Sequence, residues 1–156
     1  MAVLTTAILY SCKDDAVTPA SGPEANTISG TVTFFETDSS VFGSNSVGTY
    51  EVVAFSTWPP TGPPTATDTL AYTKVGNVYK GTYKLTGLNN GDYVIANGWR
   101  TTTGWQSPGL GIYGCDTAHF GTSSCPNNPT RATITNNNGL ENINFLSWAD
   151  TTKKIF

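Results

Sequence analysis

GTYKLTGLNNGDYVIAN, residues 81–97, carries the clearest β-pattern in the chain. Tyr83 and Leu85 alternate with Thr82, Lys84 and Thr86, so the apolar side chains fall on one face of a strand. Residues 87–91 begin and end in glycine, enclose Asn89 and Asn90, and turn the chain. Tyr93 and Ile95 then resume the alternation. The two halves read as a hairpin of half-buried antiparallel strands that share one core.

Outward from this stretch the rest of the chain takes the same form. Residues 68–74 and 78–85 flank Val75-Gly76-Asn77, and the Gly-Asn pair favours a tight hairpin. Residues 27–35 form a first strand with Ile28, Val32 and Phe34 on one face. Residues 49–57 are almost continuously apolar, which suits a central strand covered on both sides. Between 58 and 67, WPPTGPPTAT has four prolines, each lacking a ladder donor, and reads as a stiff loop. Residues 38–46, rich in Ser, Gly and Asn, read as another. Residues 93–100 continue as a strand and 110–113 form a short one. Residues 131–135 and 140–148 pair across Asn136-Asn137-Asn138-Gly139, with Ile143 and Phe145 facing the core. The expected fold is an all-β Greek-key sandwich of about seven or eight antiparallel strands, with a simple barrel as the competing closure.

Composition narrows the function classes. The 156 residues suit a single domain, and charged residues make up only 12% while aromatics also reach 12%. Thr, Ser, Asn and Gly are plentiful, a poor mixture for helix. Eight Lys and Arg against eleven Asp and Glu leave a net charge of -3, and no basic run exceeds Lys153-Lys154. Nucleic acid is therefore not an expected partner.

The three cysteines divide into a pair and a single residue. Cys115 and Cys125 lie close together in a loop-rich region, as a local disulfide of an oxidising compartment would. Cys12 stands alone behind AVLTTAILYS, residues 2–11, an uncharged run too short to span a bilayer at about 20 residues per helix but long enough for a signal-peptide core. Leu9-Tyr10-Ser11-Cys12 resembles a bacterial lipobox, whose cysteine is diacylated and becomes the new N-terminus. It departs from that pattern in the bulk of Tyr10 and in the lack of a basic residue before the run. Lys13-Asp14-Asp15 is similar to the export signal of Bacteroidota lipoproteins displayed on the outer face of the outer membrane. These resemblances imply a signal peptide at 1–11, a lipidated tether at 12–26, a sandwich domain at 27–148 and a C-terminal tail at 149–156. The lipid would supply the membrane affinity, at about 0.8 kcal/mol per buried methylene.

The pattern G-x-Y-x-L-x-G-L-x-x-G-x-Y-x-I from Gly81 to Ile95, with I-x-G-x-V from Ile28, resembles prealbumin-like sandwiches, in particular the carboxypeptidase regulatory-like domains. That resemblance implies the fold and no activity, since the carboxypeptidase regulatory-like domains are noncatalytic. Hydroxyisourate hydrolases share the fold but carry several histidines and end in Tyr-Arg-Gly-Ser. This chain has His119 alone and ends in Lys153-Lys154-Ile155-Phe156, so it does not match them.

Two groups of residues carry chemistry. Asp116, His119, Ser123 and Ser124 fall between the paired cysteines, where Asp and His suggest a metal and His beside Ser suggests nucleophile activation. A metal site wants three or four ligands, however, and the single histidine reads more simply as structural. Trp58, Trp99, Trp105 and Tyr113 fall at strand ends or in loops, where aromatic faces stack on sugar rings or cap the ends of the sandwich. The expected function is a noncatalytic binding or structural module without metal or cofactor, with a glycan or an envelope protein as ligand. Self-assembly through sheet edges is the alternative. A small hydrolase using residues 105–130 is the third reading.

Overall fold

The computed structural model describes residues 22–35, 37, 48–101, 109–118 and 125–153. These residues contain nine strands and no α-helix: β1 (Ile28–Phe35), β2 (Gly48–Phe55), β3 (Ala66–Thr69), β4 (Tyr72–Val75), β5 (Val78–Leu85), β6 (Gly91–Thr101), β7 (Gly109–Ile112), β8 (Ala132–Ile134) and β9 (Phe145–Trp148). Sheet I has the order β4-β5-β1-β9; sheet II has the order β3-β2-β6-β7, with β8 also on β6. The protein is an all-β sandwich.

The alternation seen in the sequence places the core between the sheets. Ile28, Val32 and Phe34 of β1 and Tyr83 and Leu85 of β5 meet Tyr50, Val52 and Ala54 of β2 and Tyr93 and Ile95 of β6, all of them buried. β2 lies between β3 and β6, as its apolar run suggests. Gly76-Asn77 closes the β4–β5 hairpin with Val75 opposite Val78, and Gly76 takes the positive φ (64°) that the turn requires.

The stretch 81–97 is not a hairpin. β5 pairs with β1 and β4 in sheet I, whereas β6 pairs with β2, β7 and β8 in sheet II, so residues 86–90 carry the chain across the sandwich. Leu88 shows why. In a hairpin tip it would face water, but here it is fully buried and its N–H donates to the Asn26 carbonyl at 3.0 Å. Gly87 supplies the positive φ (72°) with which the chain turns there.

A second expected hairpin, across residues 136–139, resolves the same way. Asn136 and Asn137 take positive φ (54° and 60°) and the turn forms. Yet β8 joins β6 while β9 runs parallel to β1, with Val32 opposite Phe145. The intervening residues lie along β1: Ser29 N–H donates to the Leu140 carbonyl (2.8 Å), and Ile143 N–H donates to the Ser29 carbonyl (3.1 Å). Residues 68–74 also divide, because the chain leaves sheet II after β3 and enters sheet I at β4 with Leu70 buried between them. Gly81 leaves room for this Leu70, since a Cβ there would lie 2.7 Å from its Cγ. Among the described residues the strands thus number nine rather than seven or eight, and the β1–β9 pair is parallel.

Packing contacts reach Asn26 at one end and Ala149 at the other. Asn26 N–H donates to the Asn137 carbonyl (2.9 Å), which ties residue 26 to the turn at residues 136–139. At the other end Ala149 is fully buried, and its carbonyl accepts from the Tyr50 hydroxyl. Along one side sheet II reaches β9: Gly111 of β7 lies against the Leu146 backbone, Asn97 Nδ2 of β6 donates to Ser147 Oγ (2.7 Å), and Thr117 Oγ1, beyond β7, donates to the Leu146 carbonyl (2.7 Å).

Candidate functional site

Of the aromatic residues singled out from sequence, Trp58, Trp99 and Tyr113 are described, and they do not converge. Trp99 projects from β6 into the core, only 6% exposed, with its ring edge-on to Tyr50 at 4.7 Å between centroids. Phe34 and Tyr72 complete this internal cluster around Tyr50. Trp58 is half-buried near the opposite face of the same sheet, beside Phe55 (6.1 Å) and against Val94, Ala96 and Ile112. Tyr113 is half-buried and packs on the main core. Trp105 lies outside the described residues, as does Cys12. A shared platform of Trp58, Trp99 and Tyr113 is therefore not formed.

Cys115 and Cys125 stand at disulfide distance, with Cα atoms 5.6 Å apart, and form a bridge. Of the chemical groups between them, Asp116 is exposed and its Oδ1 accepts from the Ala118 N–H (3.1 Å), while His119, Ser123 and Ser124 lie outside the described residues. Among the described residues no three His, Cys, Asp or Glu side chains gather as metal ligands would.

The buried phenols are structural. Burial pushes the Tyr83 hydroxyl well above the usual tyrosine range, helped by nearby Tyr113, and that hydroxyl donates to the Ile143 carbonyl at 2.7 Å. Burial does the same to Tyr50, with smaller contributions from Tyr72 and Asp150.

The outer face of sheet I is where polar groups accumulate. The register sets Thr31 opposite Thr82, Ser29 opposite Lys84 and Thr33 opposite Lys80, with Leu146 of β9 on the far side of Thr33. At one end of this face Trp148 packs on Phe35, their rings 4.1 Å apart, and Lys153 Nζ sits 4.2 Å from the Trp148 centroid. Trp148 was not among the sequence candidates, although the parity that sends Ile143, Phe145 and Ser147 inward sends it outward.

At the other end of the face is a shallow open groove of about 280 Å³, floored by Gly30 and Tyr83 and lined by Ser29, Thr31, Thr82, Glu141, Asn142 and Asn144. Asn144 Oδ1 accepts from the Thr31 N–H (2.8 Å), which joins the 141–144 segment to β1 and leaves the amide nitrogen of Asn144 as a donor. Asn142 holds a positive φ (61°). Three separate segments build this groove, so only the register reveals it. In the sequence the signal is limited to Thr-rich strands and an Asn-rich segment.

Comparison with protein-family models, with curated proteins and with solved structures finds no match.

Proposed function

We propose that the chain is a lipid-anchored module on the outer surface of a bacterial outer membrane, and that it binds rather than catalyses. Its sandwich is read as prealbumin-like, on the glycine and aromatic spacing of residues 81–95 and the I-x-G-x-V of β1. The observation that carries the binding role is the outer face of sheet I, where hydroxyls, amides and lysines stand in cross-strand rows beside the Phe35–Trp148 pair. A glycan or an envelope protein is the ligand class that such a face suits. Export is supported by the bridged Cys115 and Cys125, which belong in an oxidising compartment, and anchoring by the lipobox-like sequence ending at Cys12. Antibody labelling of intact cells tests the display: surface signal is expected for the wild type and lost in Cys12→Ala. Equal labelling of the two would refute anchoring through that thiol.

A second reading, self-assembly through a sheet edge, has its own observation. β4 ends the order of sheet I, and the adjoining hairpin tip exposes Val75 (56%) and Val78 (40%). Concentration-dependent filaments in the electron microscope, abolished in Val75→Lys, would support it. A monomer at every concentration would refute it.

A further inference from the structure

We infer that the groove between β1, β5 and residues 141–144 is a binding site for the hydroxyl groups of a neutral glycan. The inference deepens the binding role above and rests on it.

The chemistry of the lining is specific in what it offers. Thr31, Thr82 and Ser29 each supply a hydroxyl that both donates and accepts. Asn142 and the amide nitrogen of Asn144 add donors, and the Glu141 carboxylate is a pure acceptor. Sugar hydroxyls likewise donate and accept, so each finds a complement here. The backbone beneath is already paired: β1 bonds β5 on one side and β9 on the other, which leaves no open ladder for an added peptide strand. The groups available to a ligand are side chains, and apart from Gly30 and the buried Tyr83 the described side chains that line the groove are polar.

Charge selects among sugars. Among the described residues Glu141 is the only formally charged side chain lining the groove, and it disfavours phosphate, sulfate or uronate ligands. In the β1–β5 register Lys84 and Lys80 stand on either side of Thr82; Lys84 forms an exposed ion pair with Glu24, and Lys80 faces Thr33, outside the groove lining. A neutral, hydroxyl-rich ligand is what remains. An extended chain would run along β1 toward Phe35, four residues or roughly 13 Å from Thr31 at strand rise.

The test uses the full chain on an array of β-glucan, xylan and mannan oligosaccharides, with polygalacturonate as the acidic comparison. Thr82→Arg fills the groove and Glu141→Lys reverses its charge; both positions are exposed, and unchanged thermal unfolding would certify their folds. Arg100→Ala, on the outer face of sheet II, is the control. Retention of a neutral oligosaccharide that weakens at least tenfold in Thr82→Arg and Glu141→Lys but not in the control supports the inference. Neutral-glycan binding unchanged in both groove variants places the site elsewhere, overturning the inference while the binding role stands. Preference for polygalacturonate overturns the neutral class. No retention of any glycan overturns the inference together with the glycan reading on which it rests.

Discussion

Leu88→Ala separates the architecture from the hairpin that the local sequence suggests. Leu88 is fully buried, in contact with the main core, within the crossing from β5 to β6. Burial of a leucine side chain contributes about 1.5–3 kcal/mol by transfer alone. Truncation also leaves a cavity, so the expected total loss is about 2–5 kcal/mol. For a domain of this size that corresponds to a fall in Tm of roughly 6–20 °C. Urea and thermal unfolding followed by circular dichroism would measure it under conditions that keep the disulfide intact. Only the side chain is removed, so the N–H of residue 88 can still reach the Asn26 carbonyl. An exposed hairpin tip would tolerate the change within about 0.5 kcal/mol. A loss that small would refute the crossing.

Further expectations concern other contacts. Gly30→Ala should destabilise by about 1–3 kcal/mol, because a Cβ would lie 2.1 Å from the Ile143 carbonyl oxygen and the obstacle is backbone; unchanged denaturant midpoint would contradict this. Tyr83→Phe should cost about 1–3 kcal/mol by leaving the Ile143 carbonyl without its donor, and a neutral result would contradict burial of that bond. Replacing Cys115 and Cys125 by serine should lower stability by about 2–4 kcal/mol, with reductant having no further effect on the variant. At alkaline pH, the raised Tyr50 and Tyr83 favour the folded state only while the unfolded phenols stay neutral. Stability should therefore fall as pH rises past the ordinary tyrosine range of about 10, with tyrosinate absorbance for these two appearing together with unfolding. Ionisation of both in the folded protein would contradict their burial.

The sequence was most legible where periodicity alone decides a residue's side. Ile28, Val32, Phe34, Tyr83, Leu85, Ile143 and Phe145 all face inward as their parity suggests. Strand partners were less legible, because a turn signal does not say whether the chain returns in its own sheet or crosses to the other. The Asn136-Asn137 turn forms in either case, and Leu88 within the first turn was the one residue whose hydrophobicity argued for crossing. The candidate site suffered from the same gap. Trp99 is aromatic and near a strand end, but its odd position shares the inward parity of Tyr93 and Ile95, and it fills the core. The groove depends on Thr31 meeting both Thr82 and Asn144, a relation created by register between distant segments.

Intact mass of protein extracted from the membrane fraction bears most directly on the proposed life of this domain outside the cell. A chain beginning at Cys12, carrying diacylglycerol and lacking residues 1–11, is the expected species. An unmodified mass for residues 1–156 would contradict it.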